Sequence, residues 1–287
     1  MVYLSLQFIK ANPSGNTTIL VLTPLPRAQY APVTQLLMQE TVLAAEQVGF
    51  VEKTAAGSRL QMMGGEFCGN ASRSYAAWLM MGGRAYLLAP GDVAVLQPLQ
   101  QAHSRLQVEV SGHSGPLTAR IEEIGSAYGC FAEIDMPQPQ SIHHGQHSAL
   151  GPYSLVGFAG IVHGVLWGKA ADEALLPVFR RLLQQQGLPD TDCGIMFVEQ
   201  QEPLFIRPLV HIGGVGSLVW EQSCGSGSLA TLCALADLKQ QSYHRLRIDQ
   251  PGGPLQLSGE YSEQGIRHTR LAGSVYFTAH GLAHIEL

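Results

Sequence analysis

Runs of alternating apolar and polar residues recur along the chain, each bounded by glycine, proline, asparagine or serine, the mark of short half-buried strands. In the first half this pattern predicts strands at residues 3–9, 18–22, 47–52, 60–63, 105–110, 117–122 and 131–136, with a turn over Asn12-Pro13-Ser14-Gly15-Asn16. Residues 32–40 carry the wider spacing of a helix. The second half repeats the plan, with strands at 154–157, 165–167, 195–199, 218–220, 243–249, 255–258 and 274–278. A helix is predicted over 172–186, where Leu175, Leu176, Val178, Phe179, Leu182 and Leu183 keep a helical period. The segment with His143, His144 and His147 reads as a polar loop. Gly213-Gly214-Val215-Gly216 reads as a hairpin loop, because it lacks the strand–helix context of a dinucleotide fingerprint.

Two stretches break the alternation. Residues 75–81 and 229–236 are apolar at almost every position, which predicts helices buried on all sides. Each follows a cysteine in a similar setting: Cys68-Gly69-Asn70-Ala71-Ser72-Arg73 and Cys224-Gly225-Ser226-Gly227-Ser228-Leu229. Each half therefore holds several strands, a peripheral helix, and a buried helix opened by Cys-Gly. The fold class is α+β in two pseudo-symmetric domains, 1–125 and 126–274, divided near Gly125–Ser126.

Composition narrows the partners. The 287 residues are 14% charged with a net charge of −5, and no Lys/Arg cluster is present to neutralise phosphates, so no nucleic-acid partner is expected. No 18-residue apolar window exists, and the N-terminus alternates like a strand rather than a signal peptide, so no membrane partner is expected. Five cysteines without CxxC spacing fit a reducing compartment, and cytoplasm is the expected location.

A thiol at a helix start meets unpaired backbone N–H groups and the positive end of the helix dipole, which lowers its pKa from about 8.5 and makes a thiolate available. Two such thiols in a duplicated setting point to two acid/base groups on opposite faces of one substrate carbon. One removes the α-proton and the other returns one, inverting the carbon. The backbone N–H groups after each cysteine, at Gly69, Asn70, Gly225 and Ser226, are placed to hold the substrate carboxylate, with Gly69 and Gly225 allowing close approach. Cys130, Cys193 and Cys233 read as small buried hydrophobes. Lys10, Lys53, Lys169 and Lys239 offer no Schiff-base setting, so no pyridoxal cofactor is expected. The histidine tract lacks cysteine or carboxylate partners at metal-binding spacing, so no metal is expected, and His163 reads as a satisfied interior histidine.

These residues resemble the diaminopimelate epimerase-like family of cofactor-independent amino-acid racemases. The resemblance runs through residues 12–16, Glu46-Gln47, Cys68-Gly69-Asn70, Cys224-Gly225-Ser226-Gly227, Pro251-Gly252-Gly253 and Val275-Tyr276. It implies that each domain is a mostly antiparallel sheet wrapped round a central helix, with the active site between the two and strand 275–287 returning to the first. It also implies that Cys68 and Cys224 are the catalytic bases, and that Asn16 and Gln47 line the substrate cavity. Glu46 or Glu221 is then the acceptor for the substrate amine or side chain. Diaminopimelate epimerases carry an arginine shortly before the second cysteine that clamps the distal carboxylate. Trp220-Glu221-Gln222-Ser223-Cys224 has none, and Ile161-Val162-His163 replaces the family's Asn-Pro-His. The chain is more similar to the histidine racemase sub-branch, including members that supply D-histidine to opine-type metallophores. This implies histidine, or another amino acid with a short polar ring, as substrate, with no cofactor, and leaves a homodimer open as the assembly. The alternatives are diaminopimelate epimerase, proline or hydroxyproline racemase, and a non-catalytic binding protein on the same fold.

Overall fold

The computed structural model describes residues 2–55, 57–88, 99, 102–213 and 216–287. The fold is α+β, in two compact units: Met1–Ile134 with Ala272–Leu287, and Asp135–Leu271.

The first unit holds β1 (Tyr3–Asn12), β2 (Thr18–Val21), α1 (Tyr30–Leu37), β3 (Gln47–Thr54), β4 (Gly57–Met62), α2 (Gly69–Trp78), α3 (Arg84–Leu88), β5 (His103–Val110), β6 (Leu117–Glu123) and β7 (Gly129–Asp135). β7 pairs with β6 and so stays with this unit, beyond the Gly125–Ser126 turn. The second unit holds β8 (Ser141–His147), β9 (Gly151–Phe158), β10 (Ile161–Trp167), α4 (Leu176–Gln185), β11 (Asp192–Glu199), β12 (Leu204–Ile212), β13 (Ser217–Trp220), α5 (Gly225–Lys239), β14 (Tyr243–Asp249) and β15 (Leu255–Ser262). The long β16 (Gly265–Glu286) gives its last part to the first unit, where it pairs antiparallel with β1 from Tyr276 to Glu286.

Strand pairing shows the internal repeat. In the first unit β1–β2 is antiparallel, β2–β3 parallel, β3–β4 antiparallel, β4–β5 parallel and β5–β6 antiparallel. In the second, β9–β10, β10–β11, β11–β12, β12–β14 and β14–β15 follow the same alternation. Parallel neighbours need a crossover, and helices supply it. α1 and α4 make the first crossover of each unit, α2 and α5 the second.

The two second-crossover helices lie in the interior. All ten residues of α2 are buried, and it packs on β2, β3, β5 and β6. α5 packs on β8, β9, β10, β11, β14 and β15. Neither helix carries a solvent-facing stripe along its first turns, and in α2 even the polar Asn70, Ser72, Arg73 and Ser74 are buried. α1 and α4 instead bury one face, in clusters that include Val33, Leu37 and Phe50 in one unit and Phe179, Leu183 and Ile195 in the other.

Several expectations change. The first buried helix begins at Gly69 and ends at Trp78, and Met81 falls in a break where Gly82 takes φ 116°. β12 escaped the sequence reading because Pro208 interrupts its apolar run, yet it pairs with β11, β13 and β14. The histidine tract is strand β8, not a loop. His144 Nδ1 lies 2.8 Å from Ser154 Oγ, its Nε2 lies 2.9 Å from Asp237 Oδ2 on α5, and Trp167 Nε1 donates to the same Ser154 oxygen at 3.1 Å. Ser154 is fully buried, so this Ser-His-Asp chain ties β8, β9 and β10 to α5 and offers no nucleophile to a substrate. The glycine-rich loop reading at 213–216 falls partly on residues outside the described ones, between the antiparallel strands β12 and β13.

Candidate active site

Cys68 is the N-cap of α2. Its backbone is extended (φ −130°, ψ 113°), and its sulfur accepts the Ala71 N–H at 3.4 Å. The Ser72 hydroxyl donates to the Cys68 carbonyl at 2.7 Å, holding the first turn closed. The thiol is partly exposed and donates to Gln47 Oε1, at the start of β3, at 2.6 Å. Beside Gln47, the Glu46 carboxylate accepts from Asn16 Nδ2 at 3.0 Å. Burial pushes the Glu46 carboxyl up, and the Asn16 bond partly opposes that rise. Asn16 is 1% exposed, and its Oδ1 has no hydrogen-bond partner. The first unit thus brings Cys68, Gln47, Glu46, Asn16, Gly69 and Asn70 into linked positions.

Cys224 is the N-cap of α5, with φ −109° and ψ 107°, and its sulfur accepts the Gly227 N–H at 3.4 Å. Ser228 Oγ donates to the Cys224 carbonyl at 2.7 Å. A Cβ at position 227 would run into the Met196 thioether and lie 3.2 Å from the Cys224 sulfur, so only glycine lets the helix start this close. The Cys224 N–H donates to Gln250 Oε1 at 2.7 Å, and the Gly252 N–H to the Gln222 carbonyl at 2.7 Å. The Pro251-Gly252-Gly253 turn therefore fixes the approach to the second thiol.

The surroundings of the second thiol are acidic. Burial pushes the Cys224 thiol well above its ordinary value, and the Glu221 carboxylate pushes it further, by charge and as a hydrogen-bond partner. The Gly227 N–H and Ser226 act the other way without overcoming them. This corrects the expectation that a helix start lowers both thiols: for Cys224, loss of water outweighs the dipole. Ser226 Oγ lies 3.7 Å from the Cys224 sulfur and 2.9 Å from His163 Nε2. His163 is fully buried within β10, and burial lowers its pKa to about 4, so its ring is neutral. It is not fully satisfied as expected, for its Nδ1 has no partner. Gly194 leaves room for that ring: a Cβ there would lie 2.6 Å from Nδ1.

The sequence reading missed Arg73, His163 and Gln250 as members of these settings. Arg73 was legible in the quoted motif, but its partners were not. His163 and Gln250 lie 63 and 26 positions from the residues they bond, with no spacing to announce them. Among the described residues, no group of three His, Cys, Asp or Glu side chains is placed to hold a metal ion, and no helix is long and apolar enough to cross a membrane.

Two α+β units with matched strand order, each centred on a helix capped by cysteine, form a fold shared with solved epimerases and isomerases. The fold is that of a hydroxyproline epimerase from Agrobacterium vitis solved with trans-4-hydroxy-L-proline, with a TM-score of 0.60 over 99% of this chain and 93% of that one, at 10% identity. The chain belongs to the histidine racemase family, since the model of the histidine racemase CntK N-terminal domain matches residues 5–284. It is 30% identical to a histidine racemase from Staphylococcus aureus, over 98% of both chains. It is 32% identical to one from Fusobacterium nucleatum, over 91% of both. The protein is an isomerase, an amino-acid racemase.

Proposed function

We propose that this protein interconverts L- and D-histidine without a cofactor, using Cys68 and Cys224 as its two acid/base groups. The observation that carries this reading is the pair of cysteine caps: the same hydrogen bonds around each sulfur, with an amide beside one and a carboxylate beside the other.

The α-carboxylate of the substrate is held by the backbone N–H groups that open α2 and α5, at Gly69, Asn70, Gly225 and Ser226. These groups stabilise the charge that builds on the carboxylate as the α-proton leaves. Cys224, whose pKa is raised, begins as the thiol, and Cys68 is assigned the complementary role of thiolate once its proton, donated to Gln47 in this structure, has left. Cys68 sulfur takes the α-proton, the C–H electron pair passes into the carboxylate, and Cys224 gives its proton to the opposite face. The reverse direction exchanges the roles. Gln47 serves both states of Cys68: its oxygen accepts from the thiol, and after an amide rotation its nitrogen donates to the thiolate.

Glu221 is committed to Cys224, which leaves Glu46 as the acceptor for the substrate amine or imidazole N–H. The names of the curated relatives support histidine as the substrate. So does residue chemistry, because residues 220–224 offer no guanidinium to a second carboxylate. In this reading the enzyme works in the cytoplasm, as a monomer or homodimer, and its D-histidine feeds synthesis of an opine-type metallophore. The test is a panel of single L-amino acids in deuterated water, followed by chiral chromatography and mass spectrometry. Histidine should racemise best and gain one deuterium at its α-carbon. Turnover of diaminopimelate or proline without histidine would overturn the substrate, and no α-deuterium with any amino acid would overturn the reaction.

A further inference from the structure

We propose that the guanidinium of Arg73 is the fixed counter-charge that keeps Cys68 in its thiolate form, which makes Arg73 a positioning residue for the first thiol. This rests on the reading of Cys68 as an acid/base group and adds what sets its charge state.

Arg73 is 0% exposed on α2, one of the largest fully buried side chains in the protein. Its Nη1 donates to the Gly273 carbonyl at 2.8 Å, and its Nη2 to Asn70 Oδ1 at 2.9 Å and to the Pro13 carbonyl at 3.5 Å. All three acceptors are neutral dipoles, and Nε has no partner. Among the described residues, no carboxylate pairs with it. Glu52 of β3 pairs with Arg27, Glu133 of β7 pairs with Arg120, and Glu109 of β5 acts on Tyr75. Lys53 of β3, His103 and Arg105 of β5, and Glu123 of β6 are exposed, whereas Arg120 and Glu122 of β6 are partly so. The groups that act on Arg73 by charge are two thiols, Cys130 on β7 and Cys68 at the cap of its own helix.

A buried cation without an anion is costly, so chains seldom keep one unless an anion forms nearby. Burial lowers the Arg73 pKa to about 10, which still leaves it charged at neutral pH. Cys130 does not supply the anion, because burial pushes its thiol up to about 12. Cys68 is partly exposed and its sulfur accepts the Ala71 N–H, so it is the thiol to which the anion is assigned. The corresponding position after Cys224 is the buried, uncharged Leu229, so the duplicated plan places a cation at one thiol alone. The bond to Asn70, two residues after Cys68, ties the fork to the first turn of α2, with Pro13 and Gly273 as its other anchors.

The experiment measures the rate of Cys68 alkylation by iodoacetamide against pH, read by mass spectrometry of the Cys68 peptide, in full-length protein carrying Cys224→Ser. Arg73→Met should raise the pH midpoint by about one unit or more, the scale of losing a nearby opposite charge. Arg73→Lys should stay within a few tenths of the parent. Cys130→Asp, which cancels the Arg73 charge and leaves its fork in place, should raise the midpoint as Arg73→Met does. An unchanged midpoint in whichever of Arg73→Met and Cys130→Asp folds, judged by circular dichroism, overturns the proposal. So does an Arg73→Lys midpoint as high as that of Arg73→Met, because geometry rather than charge would then be responsible. The readout needs no turnover: full racemisation by Cys68→Ser would instead defeat the acid/base reading of Cys68 and leave the alkylation result standing.

Discussion

At the starts of α2 and α5 a cysteine sulfur accepts the N–H three residues on at the same 3.4 Å, and a serine hydroxyl closes on the cysteine carbonyl at the same 2.7 Å. The backbone angles of the two caps differ by about twenty degrees or less. What surrounds each sulfur is opposite in character. Cys68 meets an amide, partial exposure and the field of a buried guanidinium. Cys224 meets full burial, a carboxylate and a hydroxyl backed by a neutral histidine. A racemase with two bases needs one thiolate and one thiol at rest. Two identical caps would ionise together, so in the proposed mechanism the asymmetry has to come from side chains beyond the caps, Arg73 on α2 for Cys68 and Glu221 for Cys224.

The sharpest break in this comparison is removal of either sulfur. Cys68→Ser and Cys224→Ser should each cut racemisation by about 10² to 10⁴, the span of a lost general acid or base, with circular dichroism unchanged. Near-normal rates in either variant would remove that residue from the pair.

The substrate limit comes next in size. Diaminopimelate should turn over at least about a hundredfold more slowly than histidine, because a second carboxylate without a partner costs about 3 kcal/mol or more in a closed site. Competition kinetics with both substrates measures the ratio.

Glu221→Gln sharpens the acidic side. Removing the carboxylate should lower the Cys224 pKa, so the limb of the kcat profile that reports this thiol should move down by about one unit. Gln47→Ala should leave that limb in place. A shift of the same limb by Gln47→Ala would mean that the two settings are not separate.

Acid stability distinguishes the units again. His163 has a folded pKa of about 4 and an ordinary value near 6.5, so above about pH 6.5 both states are neutral and its contribution is complete. Between those values the unfolded chain binds the proton and the folded one does not. Stability is therefore lost as pH falls through this window, by about 3 kcal/mol in all. Urea midpoints at pH 7.5 and 4.5 should separate less in His163→Gln than in the parent. The smallest effect belongs to Cys193→Ser: racemisation within about twofold of the parent, with about 1–3 kcal/mol of stability lost by placing a hydroxyl in an apolar cluster.

The alternation of apolar residues placed most strands, and the run 229–236 placed α5, because both signals are local; the run 75–81 caught only the last turn of α2, whose earlier residues are buried but polar. The Cys-Gly starts were legible for the same reason: a cap needs only its own four or five residues. Strand β12 was hidden by Pro208, and β8 by its histidines, since pairing partners rather than composition made them strands. The repeat itself could be read along the chain, yet the matched order of parallel and antiparallel pairs appears only in the folded units.

By itself the sequence determined that two thiols cap two buried helices in a duplicated α+β chain. The tertiary structure decided what each thiol experiences. Arg73 reaches Gly273 across 200 positions, His163 reaches Ser226 across 63, and Gln250 reaches Cys224 across 26. The physical reason is the range of the forces. Caps and turns are settled by hydrogen bonds within one turn of chain, whereas a thiol's charge depends on burial and on groups a few ångströms away, which packing brings from anywhere in the sequence.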